Sequence, residues 1–402
     1  MHTGTQASAA APYLAFAAFG LFWGTWGAAL PALRSAAALD DAALGTALLF
    51  VGLGALPAML LTGRAVDRWG ARAGGAALVA LAVAGVVVAA TGRDLATLCL
   101  AMALVGATSG AADVAANALA GLREQRSGGR VVTVAHGVFS SCVVVGSLGT
   151  GALRAAGADV VLVFCVAGTA MAVLGLAVLR LGDGPQAAAP GARTTGDGVP
   201  RDQLGALRPA LPFVVVGLVG ALGLAVENAH QSWGAVFLAD EVGAGPGLTA
   251  LAPATFAAAA VATRFAAGLL TGVPAAALLG GGAATALAGT LVVAASGSVG
   301  TALAGLVLAA VGTAVLFPTL LSRAVRDVPA ARRGRATSTV ATTAYLGFLA
   351  GPVYVGLLSQ ATGLRGAMVG VAALVAVVGV LAPLTGRARR QERVPPVVRA
   401  GY

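Results

Sequence analysis

Apolar stretches nearly free of charge recur along the chain, and the short segments between them hold most of the arginines and acids. A bilayer core about 30 Å thick is crossed by about 20 helical residues. Each crossing must satisfy its own backbone hydrogen bonds, so helices are the form such stretches take in lipid. The pattern predicts crossings over 12–33, 44–63, 74–91, 95–120, 131–153 and 158–180, then over 209–238, 247–270, 275–295, 299–321, 336–360 and 364–384. The expected fold is an all-α integral membrane protein with twelve transmembrane helices.

Residues 183–208 interrupt the pattern with Pro, Gly and polar side chains and read as a flexible cytoplasmic linker. They separate a first six-helix bundle (1–182) from a second (209–386), with a cytoplasmic tail over 387–402. The halves look like copies. Gly129, Arg130, Gly146 and Gly151 recur 205 residues later as Gly334, Arg335, Gly351 and Gly356, and Trp26-Gly27-Ala28 recurs at an offset of 207 as Trp233-Gly234-Ala235. Matches at nearly one offset argue for two pseudo-symmetric bundles.

Charge tests the count independently. With an even number of crossings and both termini cytoplasmic, the arginines fall in the cytoplasmic segments and leave only Arg34, Arg93, Arg154 and Arg365 outside, as the positive-inside rule requires. The first 33 residues carry no Arg or Lys, so the first apolar run is expected to stay as a span rather than be removed as a leader.

Composition narrows the function classes. Of 402 residues 58% are hydrophobic, 58 are glycine and 10% are charged, which excludes a soluble enzyme and intrinsic disorder alike. No lysine occurs, so neither a phosphate-binding loop nor a pyridoxal Schiff base can be built. No cofactor and no metal are expected, because His2, His136 and His230 are the only histidines and lack ligand spacing. The net charge of +10 forms no basic stripe with interleaved aromatics, so nucleic acid is not an expected partner. Cys99, Cys142 and Cys165 each lie in an apolar run and read as small buried hydrophobes.

Between the second and third spans stands GRAVDRWGAR, with Gly63, Asp67, Arg68, Gly70 and Arg72. Gly63 would let the helix end pack closely and Gly70 would permit a tight turn. The motif, its position, the twelve spans, the central linker and the repeat together resemble the major facilitator superfamily. That resemblance implies two bundles rocking about a central site, with Asp67 bracing a cytoplasmic gate and Arg68 and Arg72 completing its charge network. The competing reading of those arginines is that they only obey the positive-inside rule. Arg264 and Gly268 stand where a second copy would be, near a cytoplasmic loop, without its acid. No arginine in the fourth span and no proline in the fifth depart from drug/proton antiporters. GAADVAANAL, the His136 segment and ENAHQSWGAVFL look more like fucose-permease-like and YbjJ-like transporters.

A charge at membrane depth costs about 2.5–3.5 kcal/mol on insertion scales, so each one calls for a cavity or a partner. Asp113 lies ten residues before Arg123, about 15 Å along a helix and near the midplane. Asn117 is one turn on, and His136 enters the next span from the same side. Asp113, Asn117 and His136 therefore read either as a proton-responsive or substrate-binding cluster, or as a polar network joining two helices. Glu227, Asn228, His230 and Gln231 form the densest polar stretch in any span. Glu227 and Gln231 share a face and are expected to bind substrate, while His230 fits a water-facing position equally well. Trp26 and Trp233, at matching places, suit stacking on a sugar or simple anchoring.

The expected function is a secondary active transporter in the cytoplasmic membrane, acting as a monomer by alternating access. It would move a small, sugar-like or other polar solute, with protons as the candidate coupling ion. A drug or metabolite efflux antiporter is the alternative, and a non-transporting membrane receptor or assembly protein is the rival of another class. No enzyme motif is present.

Overall fold

The computed structural model describes residues 9–181, 207–269 and 272–385. The expected linker, apart from its last two residues, and the expected tail lie outside them. Thirteen helices account for nearly all described residues. They are α1 (Ala11–Ala36), α2 (Asp41–Trp69), α3 (Ala71–Thr91), α4 (Leu95–Ser127), α5 (Val131–Ala155), α6 (Val160–Leu181) and α7 (Leu207–Asp240). There follow α8 (Pro246–Thr249), α9 (Leu251–Leu269), α10 (Ala275–Ala295), α11 (Val299–Thr313), α12 (Leu316–Val325) and α13 (Ala330–Leu384).

Eleven helical segments are long and apolar enough to cross a membrane. The last of them, Arg332–Leu384, is 53 residues long, about 80 Å at 1.5 Å per residue and far more than one crossing needs. It turns back at Gly363, whose φ of 71° and ψ of 168° no helix contains, so it supplies two crossings and the described residues hold twelve. Prolines explain two interruptions within spans. Pro253 has no N–H for the Thr249 carbonyl, and Pro318 none for Ala314, so α8 parts from α9 and α11 from α12 at those points.

Local signals set the ends. Asp94 accepts from the Thr97 N–H at 2.9 Å to open α4, and Ser298 with Thr301 does the same for α11. These two capping boxes stand 204 residues apart, a further trace of the duplication. Gly70, at φ 55°, makes the turn between α2 and α3.

The pairings show the repeat in three dimensions. In the first half α1 packs on α5, α2 on α4 and α3 on α6; in the second, α7 packs on the first arm of α13, α9 on α11 and α10 on α13. A Cβ at Gly146 would meet the Leu21 carbonyl of α1 at 2.6 Å, and one at Gly351, its counterpart, would meet the Ala225 carbonyl of α7 at 2.6 Å. The halves meet along α2 with the first arm of α13, and along α5 with α8 and α9. There the duplication exchanges partners. A Cβ at Gly151 would lie 2.6 Å from Ala250, and one at Gly356 would lie 3.0 Å from the Gly45 Cα. The second pair is the first carried 205 residues along, with the halves swapped.

Candidate functional site

All the tight contacts between halves just described lie at one end of the molecule, where α1 finishes and α2 begins. Ser147 donates to the Ala250 carbonyl at 2.6 Å across the same seam. Arg34, at the end of α1, closes it. Its Nη2 lies 2.8 Å from Asp41 Oδ1 of α2, an ion pair not in line for a hydrogen bond, and its Nη1 donates to Asp240 Oδ2 at the end of α7. At the opposite end a Cβ added to Gly63, Gly121, Gly268 or Gly334 would touch nothing within 4 Å. The close packing expected of Gly63 is therefore absent among the described residues: its position on α2 is open, while Thr62 and Val66 nearby are buried. Asp67, Arg68 and Arg72 are exposed there. Arg68 lies over the ring of Trp69, and Asp67 makes no ion pair among the described residues.

Between the two ends lies a cavity of about 430 Å³ walled by both halves. From the first half come Trp23 and Trp26 of α1, Met59 of α2, Asp113 of α4 and Phe139 of α5; from the second come Glu227, Asn228 and Gln231 of α7, Arg264 of α9 and Tyr345 of α13.

Two polar groups organise the walls. On α4, Asn117 donates to both the carbonyl and Oδ1 of Asp113, each at 2.9 Å, so the expected one-turn pairing is present. His136 does not complete that cluster by contact: it is exposed, its Nδ1 donates to the Val132 carbonyl, and its ring packs 4.8 Å from Phe16. No hydrogen bond or ion pair joins it to Asp113 among the described residues. On α7, Glu227 is buried and its Oε1 accepts from Gln231 at 3.1 Å and from Arg264 at 2.9 Å. Asn228 donates to the Phe348 carbonyl at 2.5 Å and accepts from Ser232, which fastens α7 to α13. That approach needs Gly347, where a Cβ would run into the Ala221 carbonyl.

Sequence and structure part at several residues. Arg264, five residues before the end of α9 and so near the loop as expected, also lines the cavity and pairs with Glu227, a role the sequence did not announce. His230 is 2% exposed, stacked on Phe256 and hydrogen-bonded to Thr290, so it does not face water. Trp26 lines the cavity, but its counterpart Trp233 is fully buried in the wall, with no partner for its Nε1 among the described residues. Of the cysteines Cys99 is buried and the other two half-buried, all free.

Known proteins agree with this architecture. A protein of Sinorhizobium fredii described as an uncharacterized transporter, y4wD, is 31% identical over 91% of this chain and 94% of its own length. An uncharacterized MFS-type transporter of Yersinia pestis is 30% identical over 61% of each chain, so this chain spans under two thirds of that relative. Two solved structures share the fold at low identity. A bacterial homolog to the human lysosomal transporter Spinster, inward-facing and occupied, matches with a TM-score of 0.72 at 17% identity over 96% of this chain and 97% of its own. The nucleoside transporter NupG, in a mutant form, gives 0.76 at 16% over 93% and 98%. The model of the Major Facilitator Superfamily matches residues 223–400. With a relative matched nearly end to end, a duplicated twelve-crossing fold and a cavity shared by both halves, the chain belongs to the major facilitator superfamily of membrane transporters.

Proposed function

We propose that the chain moves a small solute across the cytoplasmic membrane by alternating access, with the cavity as its solute site and the Arg34 seam as its outer gate. The observation that carries the reading is the cavity itself: both halves wall it, and one end is closed by tight contacts between halves, whereas toward the other the described residues give only the looser approach of Phe265 to Gly137. Charge supports an orientation. Arg64, Arg68, Arg72, Arg123, Arg130, Arg332 and Arg335 crowd the end where α1 begins, and the positive-inside rule supports reading that end as cytoplasmic. The molecule is then open to the cytoplasm. Asp67, unengaged in this state, would brace the second bundle only when the cytoplasmic end closes, as the loop motif implies.

Solutes are found by measuring thermal stabilisation of detergent-purified protein with sugars, organic acids and organic cations, then following flux of the stabilising compound in reconstituted vesicles. Saturable flux that falls in Asp113→Asn and Glu227→Gln is the expected result. Vesicles that bind a stabilising solute yet never move it would make the chain a receptor and end the transport reading.

A further inference from the structure

Three polar groups of the cavity wall spend their donors within the wall. The amide of Gln231 is given to Glu227, that of Asn228 to the Phe348 carbonyl, and the hydroxyl of Ser109 to the Gly106 carbonyl. A sugar-like solute, with a donor and acceptor at each hydroxyl, would need those groups free. Charge tells the same story. Arg264 answers Glu227, whereas Asp113 has an amide for company and no cation in contact among the described residues. The cavity thus holds one carboxylate in excess, at a depth where an unanswered charge is costly. The same cavity is lined by a cluster of aromatic rings: Phe139 and Trp23 lie 5.6 and 6.2 Å from Phe19, centroid to centroid. Such faces attract cations as well as apolar bodies.

We infer that the solute is an organic monocation with an aromatic or aliphatic body, its charge seated on Asp113 and its body on Phe19, Trp23 and Phe139. The inference deepens the transport reading and rests on it for the word solute, but the binding it asserts is measured separately. A cation supplies the charge that Asp113 lacks, and its apolar body asks the wall for no hydrogen bonds. The sugar-like expectation is the rival reading, and glucose stands for it in the test.

Trp23 and Trp26 line the cavity, so purified protein reports binding through its own fluorescence. Benzyltrimethylammonium, benzoate and glucose serve as probes at constant ionic strength. A saturable change with the cation alone, weakened about tenfold or more in Asp113→Asn, is expected. Tighter binding of benzoate or glucose, no binding of the cation, or cation binding unaltered in a folded Asp113→Asn protein overturns the inference. Should that variant fail to fold, the comparison of the three probes on the unaltered protein decides alone. Flux of some other solute without cation binding would sink this inference and leave transport standing; cation binding without any flux would do the reverse.

Discussion

Replacing Asp240 with Asn should loosen the outer seam, while replacing Asp41 with Asn should not, although both carboxylates sit on Arg34. The difference lies in which contacts change when the halves rock. Arg34 and Asp41 belong to the same half and stay together in either state, so their bond cancels from the equilibrium however strong it is. Only the bond to Asp240 joins the halves. Asp240 is 42% exposed, so solvent screens the pair and it is worth about 0.2–1 kcal/mol, not the larger value of a buried bridge. Losing it should shift the ratio of outer-closed to outer-open molecules by up to about fivefold. Gly356→Ala should do more: its Cβ would meet the Asp41 carbonyl at 2.5 Å, and overpacking of this kind costs about 1–3 kcal/mol in the closed state alone. Spin labels at Ser35 and Leu248, on opposite sides of the seam in a background without Cys99, Cys142 and Cys165, give the two populations as distances. The expected order of opening is Gly356→Ala, then Asp240→Asn, then Asp41→Asn at the unaltered level. In about 1 M salt, where the Debye length is about 3 Å, Asp240→Asn should converge on the unaltered protein. Opening by Asp41→Asn equal to that of Asp240→Asn would refute the reasoning, as would a seam indifferent to Gly356→Ala.

Removing Arg264 as Gln leaves Glu227 buried with an amide as its only partner, so thermal unfolding in detergent should fall by the equivalent of about 1–2 kcal/mol, discounted because Arg264 is 47% exposed. Adding Glu227→Gln should recover most of that loss; a double variant less stable than Arg264→Gln would contradict the pairing. Asn228→Ala strips the tie between α7 and α13 and strands the Ser232 hydroxyl, and should cost about 1–3 kcal/mol in the same measurement. Trp233→Phe removes a buried N–H without a partner and should leave solute affinity unchanged, whereas Trp23→Phe, in the cavity wall, should alter it. Equal effects of the two on binding would show that the cavity is wrongly drawn.

Much of the fold was legible because lipid leaves a helix no outside partners, so every crossing writes itself as an apolar run. Helix ends in water were less so. The second span was read to 63 but α2 runs to Trp69, and the fourth to 120 where α4 reaches Ser127, since arginine-bearing turns go on until Gly70 or Gly128 allows a reversal. In the site, Asp113, Glu227, Gln231 and Trp26 do reach the cavity, the first two flagged by the cost of charge at depth. Sequence gives position along a helix and little about its facing, which is why Trp233, in register with Trp26, turns into the wall. His136 is at the right depth to act on Asp113 and makes no bond to it. The bond of Arg34 to Asp240 spans 206 residues and no local pattern announces it.

The repeat divides the residues into two kinds of work. Positions that obey it serve packing: Gly146 and Gly351 seat equivalent helices within each half, and Gly151 with Ala250 mirrors Gly356 with Gly45 between the halves. Positions that break it carry the charge. At the offset of 205, Asp113 corresponds to Pro318 and Arg264 to Met59, and at the offset of 207 found in α1 and α7, Glu227 corresponds to Gly20. Gly20 has to be small, since a Cβ there would run into the Phe139 carbonyl. Its counterpart Glu227 lines the cavity instead, where Met59 and Arg264 also stand as an apolar and a charged member of one pair. A symmetric backbone would offer a solute the same wall twice. Because the charges sit on one copy only, Asp113 belongs to the first half and the Glu227–Arg264 pair to the second. A cation held by Asp113 is therefore carried by one half, and rocking the other past it changes which side it sees without breaking its charged contact.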